Sequence, residues 1–163
     1  MPDHSSMEAC SLREAAMAQL LLLQLPAASV SDAAAQQPYA EAGLCLRLAP
    51  DQWLLLAETE PFAALPVSDR AKLTDISHAW IRLRISGPKR WEMLSKCMAL
   101  PHSLGPAPYA VRTLCVGVPV ILLETSETEA LYLLMPRSYS AWLTQWLADA
   151  AAEYAAPSLE TAS

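Results

Sequence analysis

The chain has 163 residues, 53% apolar and 17% charged, a balance that excludes an intrinsically disordered chain and suffices for a core without metals or disulfides. Lys plus Arg is 11 against 17 for Asp plus Glu, and the resulting net charge of -6 argues against duplex nucleic acid as a whole-surface partner. Cys10, Cys45, Cys97 and Cys115 form no C-x-x-C pair and His4, His78 and His102 stand far apart, so no zinc-type ligand spacing exists and the thiols read as reduced and mostly buried.

At the start of the chain, Arg13 is the only cation before Gln19 and Glu14 follows it directly, so no signal peptide is expected. Residues 1–19 read as a poorly ordered or helical segment. Leu20 to Leu25, stopped by Pro26, is either the end of a helix begun at Ser11 or a buried strand, and periodicity does not choose between them. Ser29 to Ala42 is an Ala-, Gln- and Pro-bearing loop. Leu44 to Leu48 alternates, Ala49-Pro50-Asp51-Gln52 turns, and Trp53 to Ala57 returns, which predicts a β-hairpin.

After the Pro-punctuated segment Glu60 to Asp69, Trp80 to Ser86 sets Ile81, Leu83 and Ile85 on one face and Trp80, Arg82 and Arg84 on the other, the pattern of a half-buried strand. Ser86-Gly87-Pro88 then opens a helix with Pro88 at its first position and Trp91, Leu94 and Met98 on one face. Leu100 to Pro108, with three prolines and a glycine, is a loop. Strands follow near Val111 to Val116, Pro119 to Glu124 and Ala130 to Met135, the last two joined by Thr125 to Glu129. The apolar stretch Leu114 to Leu123 is too short for a bilayer, which takes about 18 residues or more. A closing helix, N-capped by Ser138, carries Tyr139, Trp142, Leu143, Trp146, Leu147, Ala150 and Tyr154 at steps of three and four, with Trp146 in the core. The order is α+β: antiparallel strands, a strand-helix unit and a C-terminal amphipathic helix, in a single domain over 20–154 with a frayed tail at 155–163.

No phosphate-binding, dinucleotide, zinc-protease or nucleophile-elbow motif occurs, and the four glycines leave little backbone to wrap a phosphate. Asp75, Ser77 and His78 bring an acid, a hydroxyl and an imidazole together in sequence, but residues so close along an extended segment point in different directions and read better as a capped turn. Cys97 is nucleophilic only with a base beside it, and the sequence places none. Charge says more: from Arg70 to Lys96, seven basic residues face two acidic ones, a local excess of +5 in an acidic chain. Trp80, Arg82 and Arg84, sharing one strand face, make a candidate subunit interface, their charges directed at water or at another chain.

Three segments carry a family resemblance. Gly43 to Leu56, with Pro50-Asp51-Gln52-Trp53-Leu54-Leu55-Leu56, resembles a G-P-D-E-W-L-L-L hairpin. Leu73-Thr74-Asp75-Ile76-Ser77-His78 followed by Ile81-Arg82-Leu83-Arg84-Ile85-Ser86-Gly87-Pro88 resembles a D-x-S-H core running into L-R-L-S-G-P. Tyr132-Leu133-Leu134-Met135-Pro136-Arg137-Ser138-Tyr139, leading to Trp142 and Trp146-Leu147, resembles an E-L-L-V-x-R-S-Y ending. Together they are similar to the gamma subunit of heterotetrameric sarcosine oxidase, itself related to the folate-binding domain of the glycine-cleavage aminomethyltransferase. Cys97 to Leu104 departs from that family's pattern in lacking an aspartate.

The resemblance implies a cytoplasmic complex with alpha, beta and delta subunits as partners, which demethylates sarcosine or a related N-methyl amine and passes the one-carbon unit to tetrahydrofolate. It also implies that FAD, FMN, NAD, tetrahydrofolate and zinc sit on the other subunits, and that this chain contributes no catalytic, cofactor-binding or metal-binding residue. The competing reading is a free-standing folate-binding module with Asp75 as its pterin carboxylate, for which 163 residues are short. A hydrolase using Ser77 and His78 is the weakest reading.

Overall fold

The chain enters as β1 (Ser11–Ala15) and β2 (Gln19–Gln24), and so takes the strand option at Leu20 rather than the helical one. The computed structural model describes residues 10–16, 19–24, 44–49, 51–57, 72–100, 109–124 and 130–155. Both chain ends, the segments Ser29–Ala42, Glu60–Asp69 and Thr125–Glu129, and most of the loop Leu100–Pro108 lie outside the described residues. Where the sequence reads as one domain, the contacts divide the chain into two compact units: Ala15–Arg82, and Met1–Glu14 together with Leu83–Ser163.

The first unit is built on a four-stranded antiparallel sheet. Its members are β2, the predicted hairpin of β3 (Leu44–Ala49) and β4 (Gln52–Ala57), and the short β5 (Lys72–Asp75), in the order β3-β4-β2-β5. Leu21 of β2 pairs with Leu55 on one side and Asp75 on the other, so the leucine run is an inner strand laddered on both edges. All five residues from Trp53 to Ala57 are buried, which makes β4 the spine of this unit. Its hairpin partner contributes Arg47, whose guanidinium lies over the Trp53 ring at 5.5 Å.

The second unit holds a five-stranded sheet in the order β1-β6-β9-β8-β7, with β6 at Trp80–Ser86, β7 at Tyr109–Cys115, β8 at Val118–Glu124 and β9 at Ala130–Pro136. Between β6 and β7 runs α1 (Arg90–Cys97), and α2 (Ser140–Ala155) closes the described chain. The start of α1 differs from expectation. Arg90 N–H donates to the Gly87 carbonyl at 3.3 Å, so Pro88 and Lys89 are the central pair of a β-turn and the helix begins two residues later. Its buried face is Met93, Leu94 and Cys97.

Ser138 is likewise not the cap of α2. It sits inside a 3₁₀ turn, Arg137–Tyr139, and the helix starts at Ser140, whose hydroxyl donates to the Arg137 carbonyl at 2.8 Å. The two helices are joined by an ion pair between Lys96 and Glu153, and the same ammonium stands 4.8 Å from the Tyr154 ring centroid. The end of α1 is bonded to the hairpin beyond it: Val116 N–H donates to the Cys97 carbonyl at 2.8 Å, and Met98 bridges Cys115.

Candidate functional site

Trp80, Arg82 and Arg84 share the face of β6 expected from their spacing, but burial does not follow that face. Arg82 is only 5% exposed and donates through Nη1 to the Ala16 carbonyl at 3.4 Å, just past the end of β1. The expectation that its charge meets water or another chain is therefore corrected. β6 lies inside the sheet between β1 and β9, and alternation tells which face a residue takes, not whether that face is covered. Arg84 is half-buried and donates to the Ser86 hydroxyl at 3.0 Å, and Trp80 is half-buried.

Asp75, Ser77 and Gln19 do come together. One Asp75 carboxylate oxygen accepts the Ser77 hydroxyl at 2.6 Å and the Ser77 N–H at 2.9 Å, and the other accepts the Gln19 side-chain amide at 3.1 Å. The Ser77 hydroxyl oxygen accepts the Leu20 N–H at 2.8 Å, and Ile76 N–H donates to the Leu20 carbonyl at 2.9 Å. Hydrogen bonding from Ser77, first through its hydroxyl and then its N–H, holds the Asp75 carboxyl below its ordinary pKa. The serine thus spends its proton on the aspartate and no imidazole takes it, so the group ties β5 to β2 and lacks the geometry of a triad.

Among the described residues, the largest apolar exposure lies in the second unit. β7 and β8 are joined with Cys115 opposite Val118, leaving the two-residue turn Val116–Gly117, whose φ values are +48° and +83°. Both residues are left-handed, as a type I′ hairpin turn requires, and a β-branched residue in the first of these positions carries strain. Val116, Gly117, Val118 and Pro119 form one wall of an open hollow of about 380 Å³, with Tyr139 and Trp142 as the other. Trp146 continues the surface, its ring 6.4 Å from that of Trp142 in an edge-on contact. On the other side Leu114 stands directly opposite Pro119. Leu114, Tyr139, Trp142 and Trp146 are 56%, 50%, 46% and 45% exposed, so Trp146 is not the core residue expected of it. Instead Leu143, Leu147, Ala150 and Ala151 bury α2. The signal for this surface was the width of the apolar arc: Tyr139, Trp142 and Trp146 form a second stripe beside the first, more than one packed face needs.

No protein-family model matches the chain, and no curated protein matches it. Among solved structures it is similar to a chain of the heterotetrameric sarcosine oxidase from Corynebacterium sp. U-96 in complex with pyrrole 2-carboxylate, at 24% identity and a TM-score of 0.73. The fold is shared with that chain. The correspondence covers 95% of this chain and 90% of that one, so both sheets and the closing helix belong to the common architecture.

Among the described residues, no three His, Cys, Asp or Glu side chains stand together as a metal site would need, and no helix is long and apolar enough to cross a membrane. Gly87 and Gly117, with φ of 107° and 83°, both serve turns rather than a phosphate cradle. Burial raises the pKa of Cys45 to about 11 and of Cys115 to about 12, so both thiols stay protonated and unreactive near neutrality.

Proposed function

We propose that this chain is the gamma-type structural subunit of a cytoplasmic, heterotetrameric flavoenzyme of the sarcosine oxidase kind. Its partners are alpha-, beta- and delta-type subunits, which carry FAD, FMN, NAD, tetrahydrofolate and zinc. The complex demethylates sarcosine or a related secondary N-methyl amine oxidatively and passes the one-carbon unit to tetrahydrofolate, with no reacting group contributed by this chain. The near full-length correspondence in fold with a chain of such an enzyme carries the reading. The engagement of Asp75 and Ser77 supports it, because among the described residues the acid and the hydroxyl of this cluster bond to each other and hold β5 to β2.

The test is isolation of the affinity-tagged full chain from its source organism, with subunit stoichiometry by mass spectrometry, a flavin absorption spectrum and sarcosine-dependent turnover. Fixed stoichiometry with larger flavin-bearing chains is the expected result. A tagged chain that elutes alone, or one that binds tetrahydrofolate at micromolar concentration without partners, overturns the proposal.

A further inference from the structure

We infer that the surface made by Leu114, Pro119, Tyr139, Trp142 and Trp146 is the docking site for a larger, non-identical subunit, which inserts an aliphatic side chain into the hollow at the Val116–Gly117 turn and sets carboxylates against Arg112. The inference deepens the subunit reading above and rests on it.

Continuity is the first argument. Leu114 faces Pro119 across the hairpin, Pro119 shares the hollow with Tyr139 and Trp142, and Trp142 touches Trp146, so the exposed apolar groups form one surface rather than scattered residues. Composition is the second, because Trp and Tyr concentrate at the buried centres of interfaces. Strain is the third. Val116 adopts φ +48° where Asn or Gly sits without cost, and its side chain lines the hollow, a position where strain is accepted for what the side chain offers.

Area and charge choose the occupant. Aromatic side chains carry roughly 150–250 Å² each, so the exposed halves of these rings together with Leu114 amount to roughly 400 Å² of apolar surface. A homodimer side of about 800 Å² is about 65% apolar and needs more than that, whereas a partner that continues from this centre onto polar surroundings does not. Arg112 is exposed and lies two residues from Leu114 on the same face of β7, on the side away from the turn, so that end of the surface is cationic in a chain of net charge -6. A segment with acidic residues beside its apolar anchor is complementary there.

The experiment uses the tagged full chain in its source organism, as wild type, as Trp142→Lys with Trp146→Lys, and as Arg112→Glu, each first checked for native circular dichroism and thermal unfolding. Expected are a tenfold or greater loss of co-isolated larger subunits for the double lysine variant and a several-fold loss for Arg112→Glu that shrinks as salt is raised. Unchanged recovery by both variants, with a wild-type complex that forms normally, overturns the docking site and leaves the subunit reading standing. Wild-type chain that sediments alone as a dimer, and as a monomer once Trp142 and Trp146 are lysine, overturns it in favour of a second copy. Failure of the wild-type chain to bring down any larger subunit removes the subunit reading, and this inference with it.

Discussion

Ser77 shows what a single hydroxyl can do when its neighbours leave it no freedom: it accepts from Leu20, donates to Asp75, and so closes the end of β5 onto β2. Ser77→Ala leaves the Leu20 N–H without that acceptor and is expected to cost about 1–3 kcal/mol in chemical denaturation. Asp75 has a lowered folded-state pKa, so its contribution is present above the unfolded value of about 3.9 and is lost as pH falls through the folded value. The stability gap between wild type and Asp75→Asn is therefore expected to be full at pH 6 and to close in strong acid, as thermal unfolding across pH would record. Val116 is the opposite case, a residue in the wrong conformation for its type. Val116→Asn relieves left-handed strain of about 1–2 kcal/mol and is expected to raise the unfolding temperature, at the expense of the hollow it lines.

Most elements were legible because their signals are local. Leu44–Leu48 and β6 rest on period-two spacing, the return strand of the hairpin and the three late strands on apolar runs set between turn residues, and the structure contains all of them. What could not be read was coverage. Nothing in Trp80 to Ser86 tells that β1 flanks β6, so Arg82 was expected outside, and nothing in Tyr139 to Tyr154 tells which of two apolar stripes meets the core. The first error makes Arg82→Glu a severe substitution, expected to cost about 3–5 kcal/mol because it buries a carboxylate where a guanidinium was bonded. The second inverts the expectation for α2: Leu143→Ala is expected to cost about 2–5 kcal/mol, and Trp146→Ala much less in the isolated chain. Denaturant titration of the two variants side by side separates the packed stripe from the open one.

For the molecule as a whole, the α+β class was legible from the order of elements, while the division into two units was not, because no Gly-, Ser- or Pro-rich linker marks a boundary that falls inside β6, between Arg82 and Leu83. On the proposed reading, His78→Ala leaves turnover of the assembled complex within a few-fold of wild type, since the exposed imidazole lies outside the reacting centre; a loss of about a hundredfold with assembly intact speaks for chemistry in this chain. The unit boundaries also fix an order of events during synthesis. Ala15–Arg82 is one continuous stretch and holds all four strands of its sheet, whereas the other unit needs both β1 and residues after Leu83. A ribosome adding about 5–20 residues per second delivers the first sheet whole while β1, already outside the tunnel, still has no neighbour to pair with. β1 thus waits for β6, and a nascent chain stalled with β5 clear of the tunnel and β6 still inside it should resist protease across β2–β5 while remaining cleavable at Arg13.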